Sequence, residues 1–366
     1  MMKERIVVVG GYGHVGKLIC KELGECYPGK VYAAGRSFDH ADRFSRSTGG
    51  KIRPMQLNIG EKFDPGVLNN VKLIIMCLDQ TNPAFVQSCL QQGIYYVDIS
   101  ANYSFLSQVE RLQTEALANR STAVLSVGLA PGLTNLMALY AKGLMDQTDA
   151  IDISIMLGLG DQHGKAAVEW TIDNLDTKYD LIQNGNHIEA ASFTEGKATD
   201  FGERLGRKKA YRFNFSDQHT LPRTLGVPSV STRLCFDSAA VTGLLAWFRA
   251  SGIFRFLKFT PIRNTVVKLF GKLRYGEEIF AVKIDAWGKK NHGDVLVECF
   301  VQGKNEAEIT AKAAAAVAAA VYRSSFAHGI YHIEQLFELK DILQYNHQSV
   351  SFQVRMTTKP FPPLPA

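Results

Sequence analysis

The stretch that decides the fold is IVVVGGYGHVGKLICKEL, residues 6–23. An apolar run typical of a buried strand ends at Val9, and a helix-like pattern follows the glycines. Gly11, Gly13 and Gly16 have the spacing G-x-G-x-x-G. Between a strand and a helix, this spacing provides a tight turn, a backbone open to a pyrophosphate, and close packing of the helix on the strand. The alternative interpretation is a strand–helix turn that binds no ligand.

The glycine loop is therefore predicted to bind a dinucleotide. The predicted contact residues in it are Gly11, Tyr12, Gly13, His14, Val15 and Gly16. Arg36 follows Gly16 by twenty residues, at the place where NAD sites carry an acid for the ribose 2′-hydroxyl. Arginine beside Ser37 suits a 2′-phosphate, so NADP(H) is predicted rather than NAD(H). The alternative is that Arg36 is an ordinary solvated charge at a strand end.

The residues around this loop repeat the strand–helix alternation. Further apolar runs lie at 31–35, 73–78, 95–99 and 122–128, and helix-like segments lie at 15–24, 83–92 and 105–119. Continuous apolar strands joined by helices indicate a parallel sheet that is covered on both faces. The sequence therefore predicts a doubly wound α/β Rossmann domain over residues 1–135.

A different pattern follows this domain. A strand is predicted at 151–160 and a helix at 165–175, and 278–303 reads as a hairpin before a helix at 305–324. The segment 136–325 is therefore predicted to be a second, α+β domain for substrate binding or dimerisation. Residues of about 325–350 are expected to pack back on the first domain, and 357–366 form a Pro-rich tail.

The composition is that of an ordinary globular protein. The 366 residues are 46% hydrophobic and 21% charged, with a formal net charge of +6. Six cysteines lie outside any C-x-x-C pair, which indicates free thiols in a cytoplasmic protein. We expect no signal peptide, because the apolar run at 6–9 is too short for one, and the sequence has no run of 18 apolar residues, no metal-binding H-E-x-x-H and no nucleic-acid motif. We therefore expect neither a metal nor a nucleic-acid partner.

Two later stretches carry a resemblance to a known family. YYVDISANYSF (95–105) and VLSVGLAPGLTNLMA (124–138), together with the glycine loop, resemble the reductase-type branch of the saccharopine dehydrogenase family. The resemblance is good across 1–140 and weaker to about 345. It implies an NADP-binding Rossmann domain, a second α/β domain, and chemistry on an imine or carbonyl carbon. This family typically has aspartate where this chain has Ala130, which argues against saccharopine itself as the substrate.

Candidate site residues follow from the strand ends, because ligands of open α/β sheets bind beyond the carboxyl ends of the strands. Further predicted cofactor contacts are Leu78, Asp79, Gln80, Ser100 and Pro131. Asp98 is a candidate catalytic group since a buried carboxyl has a raised pKa; alternatively it caps its loop through backbone hydrogen bonds. Tyr103 is a second candidate proton donor.

The second domain adds further candidates. His163 precedes a predicted helix, whose N-terminus is expected to lower the pKa of its imidazole, and it is a third candidate catalytic residue. Trp170 is predicted to wall a substrate pocket, with core packing as the alternative. Arg223 and Arg233 suit a substrate carboxylate, with a surface or interface charge as the alternative.

Residues 244–274 are both basic and apolar. Seven Lys or Arg residues and no acid lie between Asp237 and Glu277, and Trp247, Phe248, Phe254, Phe256 and Phe259 are interspersed with them. One interpretation is a dimerisation or lid segment with solvated charges, and we expect a homodimer. Another is peripheral contact with an anionic membrane, and a third is the cover of an acyl-type substrate tunnel.

Three functional hypotheses follow. The first is a saccharopine dehydrogenase-like, NADP-dependent oxidoreductase that transfers hydride between NADPH and a C=N or C=O carbon of a small molecule. The second is an NADP-binding sensor or assembly protein without catalysis, supported by Ala130. The third is a reductase of enoyl or lipid-linked intermediates, suggested by the segment 244–274.

Overall fold

The computed structural model describes residues 3–60, 64–272, 275–344 and 350–358. The strands in these ranges are β1 (Arg5–Val9), β2 (Val31–Gly35), β3 (Ile52–Gln56), β4 (Val71–Met76), β5 (Tyr95–Asp98), β6 (Thr122–Leu125), β7 (Gln147–Leu157), β8 (Lys178–Gln183), β9 (Asn186–Ala191), β10 (Lys197–Asp200), β11 (Arg207–Arg212), β12 (Val230–Phe236), β13 (Phe280–Lys290), β14 (Gly293–Gly303), β15 (Gly329–His332) and β16 (Val350–Thr357).

The α-helices in the same ranges are α1 (His14–Cys26), α2 (Phe38–Arg46), α3 (Ala84–Gln91), α4 (Tyr103–Glu110), α5 (Gln113–Ala118), α6 (Thr134–Gly143), α7 (Lys165–Asn174), α8 (Asp217–Leu225), α9 (Ala239–Ala250), α10 (Thr260–Lys272), α11 (Glu306–Arg323) and α12 (Leu339–Leu343). The chain divides into two compact units. The first comprises Met1–Leu133 and Ala307–Tyr345, and the second comprises Thr134–Glu306 and Asn346–Ala366.

The first unit is built on one parallel sheet. Its strand order is β15-β6-β5-β4-β1-β2-β3, and each neighbouring pair is parallel. Consecutive residues of β1, β4 and β6 are buried, so both faces of the sheet are covered. The direction of the strand order reverses between β1 and β4, which is where doubly wound sheets bind ligands. The predicted Rossmann fold is confirmed.

Two strands of this sheet, β3 and β15, were not predicted from the sequence. Edge strand β3 contains Pro54 and is only partly buried, so it lacks the apolar run that marks the central strands. The opposite edge strand, β15, comes from a distant part of the chain and pairs in parallel with β6. The helix predicted over 105–119 is two helices, α4 and α5, separated at Arg111 and Leu112.

The second unit contains a mixed sheet, which agrees with the predicted α+β domain. Its strand order is β10-β11-β12-β7-β13-β14-β16, in which the β12–β7 pair is parallel and the other pairs are antiparallel. The predicted hairpin is the β13–β14 pair, joined at Asn291 and His292 with φ of +49° and +64°. Positive φ at both loop residues matches the right-handed twist of the strands. Strands β8 and β9 form a separate two-stranded sheet.

All but the first residue of helix α11 belongs to the first unit, whereas the predicted domain boundary placed the helix in the second domain. We expected the second domain to extend to 325, whereas residues from Ala307 onward group with the first unit. Hydrogen bonds account for this. Lys72 Nζ donates to the Tyr322 carbonyl (2.8 Å), Tyr322 Oη donates to the Glu4 carbonyl (3.0 Å), and Leu129 N–H donates to Thr310 Oγ1 (3.3 Å).

The C-terminal part of the chain is described as far as residue 358. Strand β16 pairs with β14 in the second unit. The Pro-rich tail was placed at 357–366, of which 359–366 lie outside the described residues. Among the described helices, none combines the length and apolar character needed to cross a membrane.

Candidate functional site

The glycine loop lies at the switch point of the parallel sheet, between the end of β1 and the start of α1. A Cβ atom on Gly16 would lie 2.2 Å from the carbonyl oxygen of Gly10, and one on Gly11 would lie 2.7 Å from that of Val8. No side chain fits at either position without a backbone shift. These two glycines therefore hold α1 tightly against the end of β1.

Gly13 has a different environment. It is the exposed N-cap of α1, and a Cβ atom there would approach only the Gly10 carbonyl, at 3.0 Å. It provides no capping side chain, and the first turn of α1 contains no acid. The first N–H groups of a helix have no intrahelical acceptor, and the helix dipole favours an anion beside them. The loop therefore fits the pyrophosphate of a bound dinucleotide, which would be held by the backbone from Gly13 to Gly16.

The end of β2 supplies the other half of the predicted cofactor site. The ring of Tyr12 covers Gly35, where a Cβ atom would lie 2.5 Å from it, and Ser37 N–H donates to Tyr12 Oη (3.1 Å). Arg36 is exposed at this strand end, and His40 contacts Tyr12 edge-on at 5.7 Å between ring centroids. The Arg36 side chain thus fits a 2′-phosphate. Gly35 and His40 are not among the predicted site residues, although both lie in the same stretch as Arg36 and Ser37, GRSFDH.

The residues after β4 divide into two kinds. Leu78 is 37% exposed and lies against Gly10, whose added Cβ would be 2.9 Å from Leu78 Cδ2. Leu78 therefore borders the glycine loop, as expected of a cofactor contact. Gln80 is buried, and its Nε2 donates to the Tyr96 oxygen at 2.8 Å. The Gln80 amide group therefore positions a neighbouring side chain.

Asp98 lies fully buried at the end of β5. Its Oδ2 accepts from the Tyr96 hydroxyl (2.6 Å), and its Oδ1 accepts from Ser100 N–H (2.7 Å). Burial raises the pKa of Asp98 to about 7, against the lowering by these two hydrogen bonds, and the Asp79 carboxylate raises it further. The predicted rise in pKa is confirmed, and Asp98 also caps its loop, which was the alternative interpretation.

A series of side-chain hydrogen bonds continues from Asp98 to α4. Ser100 Oγ accepts from Asn102 N–H (3.2 Å), and Asn102 Oδ1 accepts from Phe105 N–H (3.4 Å) at the start of the helix. Tyr103, the first residue of α4, is partly exposed. The position of Tyr103 therefore depends on Asp98 through two short turns.

The end of β6 carries a buried Ser–His–Glu chain that the sequence did not reveal. Ser126 Oγ lies 2.8 Å from His332 Nδ1, and His332 Nε2 lies 2.8 Å from Glu110 Oε1. Ser126 is completely buried, so this chain joins β6, β15 and α4 rather than facing a substrate. Pro131 follows in an irregular, largely buried segment after a cis peptide bond with Ala130. The described residues contain no group of three or more His, Cys, Asp or Glu suited to a metal ion.

In the second unit, His163 is held in an ion pair. Its Nδ1 lies 3.0 Å from Glu306 Oε2 and its Nε2 lies 3.2 Å from the Gly158 carbonyl, so the protonated ring satisfies both acceptors. Burial lowers the pKa of His163, but Glu306, Asp161 and the Gly158 carbonyl outweigh it, and the pKa is raised. The predicted lowering is therefore wrong, because these acceptors act more strongly than the start of α7.

The three predicted substrate contacts have separate environments. Trp170 is half-buried and packs against Phe213 and Phe215, at 5.5 and 5.1 Å between ring centroids. Arg223 is exposed on α8. Arg233 is buried, and its Nη1 lies 3.2 Å from Asp152 Oδ1 and donates to Ser231 Oγ (2.7 Å). The packing of Trp170 and the pairing of Arg233 favour structural roles for both.

Arg233 belongs to a charge network on one face of the mixed sheet. Its members are Asp152, Lys197, Arg233, Lys283, Asp285 and Glu298. Burial raises the pKa of Asp152, but Arg233 and Lys197 outweigh it and hold the pKa at about 2. The alternation of Lys283 and Asp285 with apolar residues in FAVKIDAWG was the available signal for these side chains. Three acids and three bases pair with one another here.

Comparisons with known proteins agree with this geometry. Residues 6–124 match the family model of the saccharopine dehydrogenase NADP binding domain. No curated protein matches the chain. Among solved structures, apo histidine-tagged saccharopine dehydrogenase (L-Glu forming) from Saccharomyces cerevisiae has a TM-score of 0.68 at 11% identity, over 96% of this chain and 100% of that chain.

Two further solved structures are less similar. DAP dehydrogenase from C. glutamicum, in complex with DAP, has a TM-score of 0.45 at 14% identity, over 94% of this chain and 99% of that chain. Dihydrodipicolinate reductase from Paenisporosarcina sp. TG-14, with bound dipicolinate, has a TM-score of 0.41 at 12% identity, over 92% of this chain and 100% of that chain.

The fold and the glycine loop define a Rossmann-type oxidoreductase that uses NADP(H). Within its first unit, residues 6–124 match the saccharopine dehydrogenase NADP binding domain, and the chain as a whole has the fold of saccharopine dehydrogenase. The predicted resemblance and cofactor are confirmed.

The two kinds of loop glycine give a first test. Gly16→Ala must shift the backbone, so we expect a loss of about 1–3 kcal/mol in the free energy of unfolding together with loss of NADPH binding. Gly13→Ala should lower the melting temperature much less than Gly16→Ala, because its Cβ lies 3.0 Å rather than 2.2 Å from the Gly10 carbonyl oxygen, but it should weaken NADPH binding about tenfold or more, because its Cβ enters the phosphate path. Thermal unfolding and NADPH fluorescence titration measure both effects.

Gly143→Ala is the matched control, since an added Cβ there meets nothing within 4 Å. It should change neither quantity. Wild-type NADPH affinity in a folded Gly13→Ala protein would contradict the placement of the pyrophosphate.

Arg36 gives a second test. Arg36→Ala should weaken NADPH binding by about 10- to 100-fold and leave NADH binding unchanged, because only NADPH carries the 2′-phosphate. Arg46→Ala, at the far end of α2, serves as the control because its side chain is 80% exposed and pairs with Asp42. Equal weakening of both cofactors by Arg36→Ala would show that the arginine does not read the 2′-phosphate.

The His163–Glu306 pair gives a third test. A raised histidine pKa stabilises the fold below the unfolded value near 6.5, and this stabilisation disappears as the pH rises through the folded pKa. Compared with the wild type, His163→Asn should therefore lose about 1–2 kcal/mol at about pH 5.5 and much less at about pH 9. Exposed His187→Asn is the control, and urea unfolding at both pH values is the measurement. A pH-independent loss would mean that the histidine is uncharged.

Proposed function

We propose that the protein transfers hydride between NADPH and a C=N or C=O carbon of a small molecule. NADPH, when bound, supplies the hydride. Reduction of such a carbon also places a proton on the nitrogen or oxygen, so the site needs an ionisable group of suitable pKa. The NADP-binding domain supports the hydride transfer, and the residues after β5 support the proton transfer.

The observation that carries the proposal is the pKa of Asp98, about 7, at the carboxyl edge of the cofactor-binding sheet. A carboxyl group with this pKa changes its charge close to neutral pH, so the hydrogen bonds that it accepts also change there. Asp98 itself is completely buried. We therefore assign it as a positioning residue, and the partly exposed Tyr103 as the candidate proton donor.

The charge of Asp98 matters for the geometry of this loop. The carboxylate accepts from both the Tyr96 hydroxyl and Ser100 N–H. Protonation turns one of its oxygens into a donor, which weakens one of these two bonds. Since the turn at Ser100 leads through Asn102 to Tyr103, loss of the Asp98 charge displaces the candidate donor. Activity should accordingly rise as the pH passes through about 7.

A second candidate function is an NADP(H)-binding sensor without turnover. It is favoured by Ala130 and by the pairing of His163 with Glu306 and of Arg233 with Asp152, since these side chains are already engaged. A third candidate, reduction of an enoyl or lipid-linked substrate, is supported by the exposed apolar residues of 244–272. A panel of α-keto acids with and without amines, and of enoyl thioesters, separates the three by NADPH consumption.

Asp98→Asn is the test of the proposed chemistry. We expect turnover to fall by about 10- to 100-fold and the inflection near pH 7 to disappear from the kcat profile, because the amide does not titrate. NADPH affinity should fall much less than turnover, since the predicted pyrophosphate contacts at residues 11–16 do not include Asp98. The assay is NADPH consumption with whichever panel substrate the wild type reduces.

Tyr103→Phe is the companion variant. It should lose turnover by a similar factor while keeping wild-type thermal stability, because only its hydroxyl is removed. Unchanged turnover and an unchanged pH profile in Asp98→Asn would contradict the role given to Asp98. No consumption of NADPH across the whole panel would favour the sensor.

A further inference from the structure

The basic apolar segment, residues 244–272, consists of most of α9, a 3₁₀ helix at Ile253–Lys258, and α10. Large apolar side chains are unusually exposed along it. They are Leu244 (49%), Trp247 (59%), Ile253 (39%), Phe256 (44%), Phe259 (60%), Ile262 (43%) and Leu269 (66%). Clustered exposed apolar surface of this kind marks an interaction site in a soluble fold.

The inner side of the segment is packed. Leu245, Phe254 and Val267 are buried, and the ring of Phe270 contacts that of Phe236 at 5.7 Å. The 3₁₀ helix contacts both α9 and α10. The exposed residues are therefore the outer faces of packed helices. On α9 they recur three residues apart, at Leu244 and Trp247, which is the spacing of one helix face.

Two of its cations attach the segment to the end of α7. Arg249 pairs with Asp176, and Arg263 Nη2 donates to Asp173 Oδ2 at 2.6 Å. Four other cations of the segment are exposed, and none of them forms an ion pair with an acid in the described parts of the chain. These are Arg255, Lys258, Lys268 and Lys272.

The combination of exposed positive charge and exposed apolar surface indicates which kind of partner this segment binds. A two-fold contact of this segment with a second copy would bring the four exposed cations of each chain against those of the other. An anionic lipid surface neutralises them instead, and its headgroup region accepts Trp and Phe side chains. Helices that lie in this interface have apolar residues on one side and Lys or Arg beside them.

We propose that residues 244–272 bind peripherally to an anionic membrane surface. Trp247, Phe256, Phe259 and Leu269 enter the headgroup and upper acyl region, while Lys258, Lys268 and Lys272 contact lipid phosphates and carboxylates. The proposal is independent of the hydride-transfer reaction, because none of these residues belongs to the cofactor site.

Co-sedimentation of the full chain with vesicles tests this binding. Vesicles of phosphatidylcholine with phosphatidylserine should bind the protein about tenfold or more tightly than vesicles of phosphatidylcholine alone, given four exposed cations. Raising the salt from about 0.1 M to about 1 M should reverse most of this difference, because the screening length shortens. The tryptophan emission should shift to shorter wavelength on binding, and Trp247→Phe should remove that shift.

Two charge variants test whether vesicle binding depends on the lysines of this segment or only on the net charge of the protein. Lys258→Glu with Lys268→Glu and Lys272→Glu should abolish vesicle binding. The matched control changes three exposed lysines outside the segment: Lys289→Glu, Lys290→Glu and Lys304→Glu. Both triple variants lower the formal net charge from +6 to 0, so only the position of the charges differs. The control should bind like the wild type.

A third variant tests the apolar contribution. Phe256→Ser with Phe259→Ser should weaken vesicle binding about tenfold or more, whereas Leu117→Ser, at a side chain 51% exposed elsewhere, should not. Circular dichroism confirms that each variant is folded. Equal binding to neutral vesicles, or equal loss in both charge variants, would overturn the proposal. So would a dimer in light scattering that Phe259→Ser dissociates, in a protein that binds no vesicles.

Discussion

The cofactor site depends on one close packing contact, that of α1 on the end of β1. No side chain fits at Gly16, because its Cβ would lie 2.2 Å from the carbonyl oxygen of Gly10. This contact directs the start of α1 toward the switch point between β1 and β4. The uncapped first turn and the exposed Gly13 leave backbone N–H groups at which a phosphate would fit. Tyr12 contacts the end of β2 at Gly35 and Ser37, and Arg36 between them is the residue that we expect to bind a 2′-phosphate.

The second constraint is the burial of a carboxyl group. Asp98 would be costly as a lone charge in the interior, and its two short hydrogen bonds to Tyr96 and Ser100 compensate only in part. The same bonds fix the loop that leads to Tyr103. Acid–base behaviour and loop geometry therefore share one cause. In the second unit, by contrast, Asp152 pairs with both Arg233 and Lys197, and these cations outweigh its burial and hold its pKa at about 2.

Features that depend on residues close together in the sequence were predictable from the sequence. The glycine spacing, the apolar runs and the 278–303 hairpin are of this kind, and so are Arg36 and the raised pKa of Asp98. What could not be predicted depends on residues distant in the chain. The charge of His163 depends on its hydrogen bond with Glu306, which lies 143 residues away in the sequence. His332 forms a hydrogen bond with Ser126, which lies 206 residues away. Edge strand β3 was missed because a partly exposed strand with a proline lacks the apolar signal.

The central claim is that the glycine loop and Arg36 make the first unit an NADP(H) site. Calorimetric titration of the unmodified protein with NADPH and with NADH tests it most directly. One saturable site per chain is expected, with NADPH bound about tenfold or more tightly than NADH because of its 2′-phosphate. Equal affinity for the two cofactors, or no saturable binding of NADPH, would contradict the account.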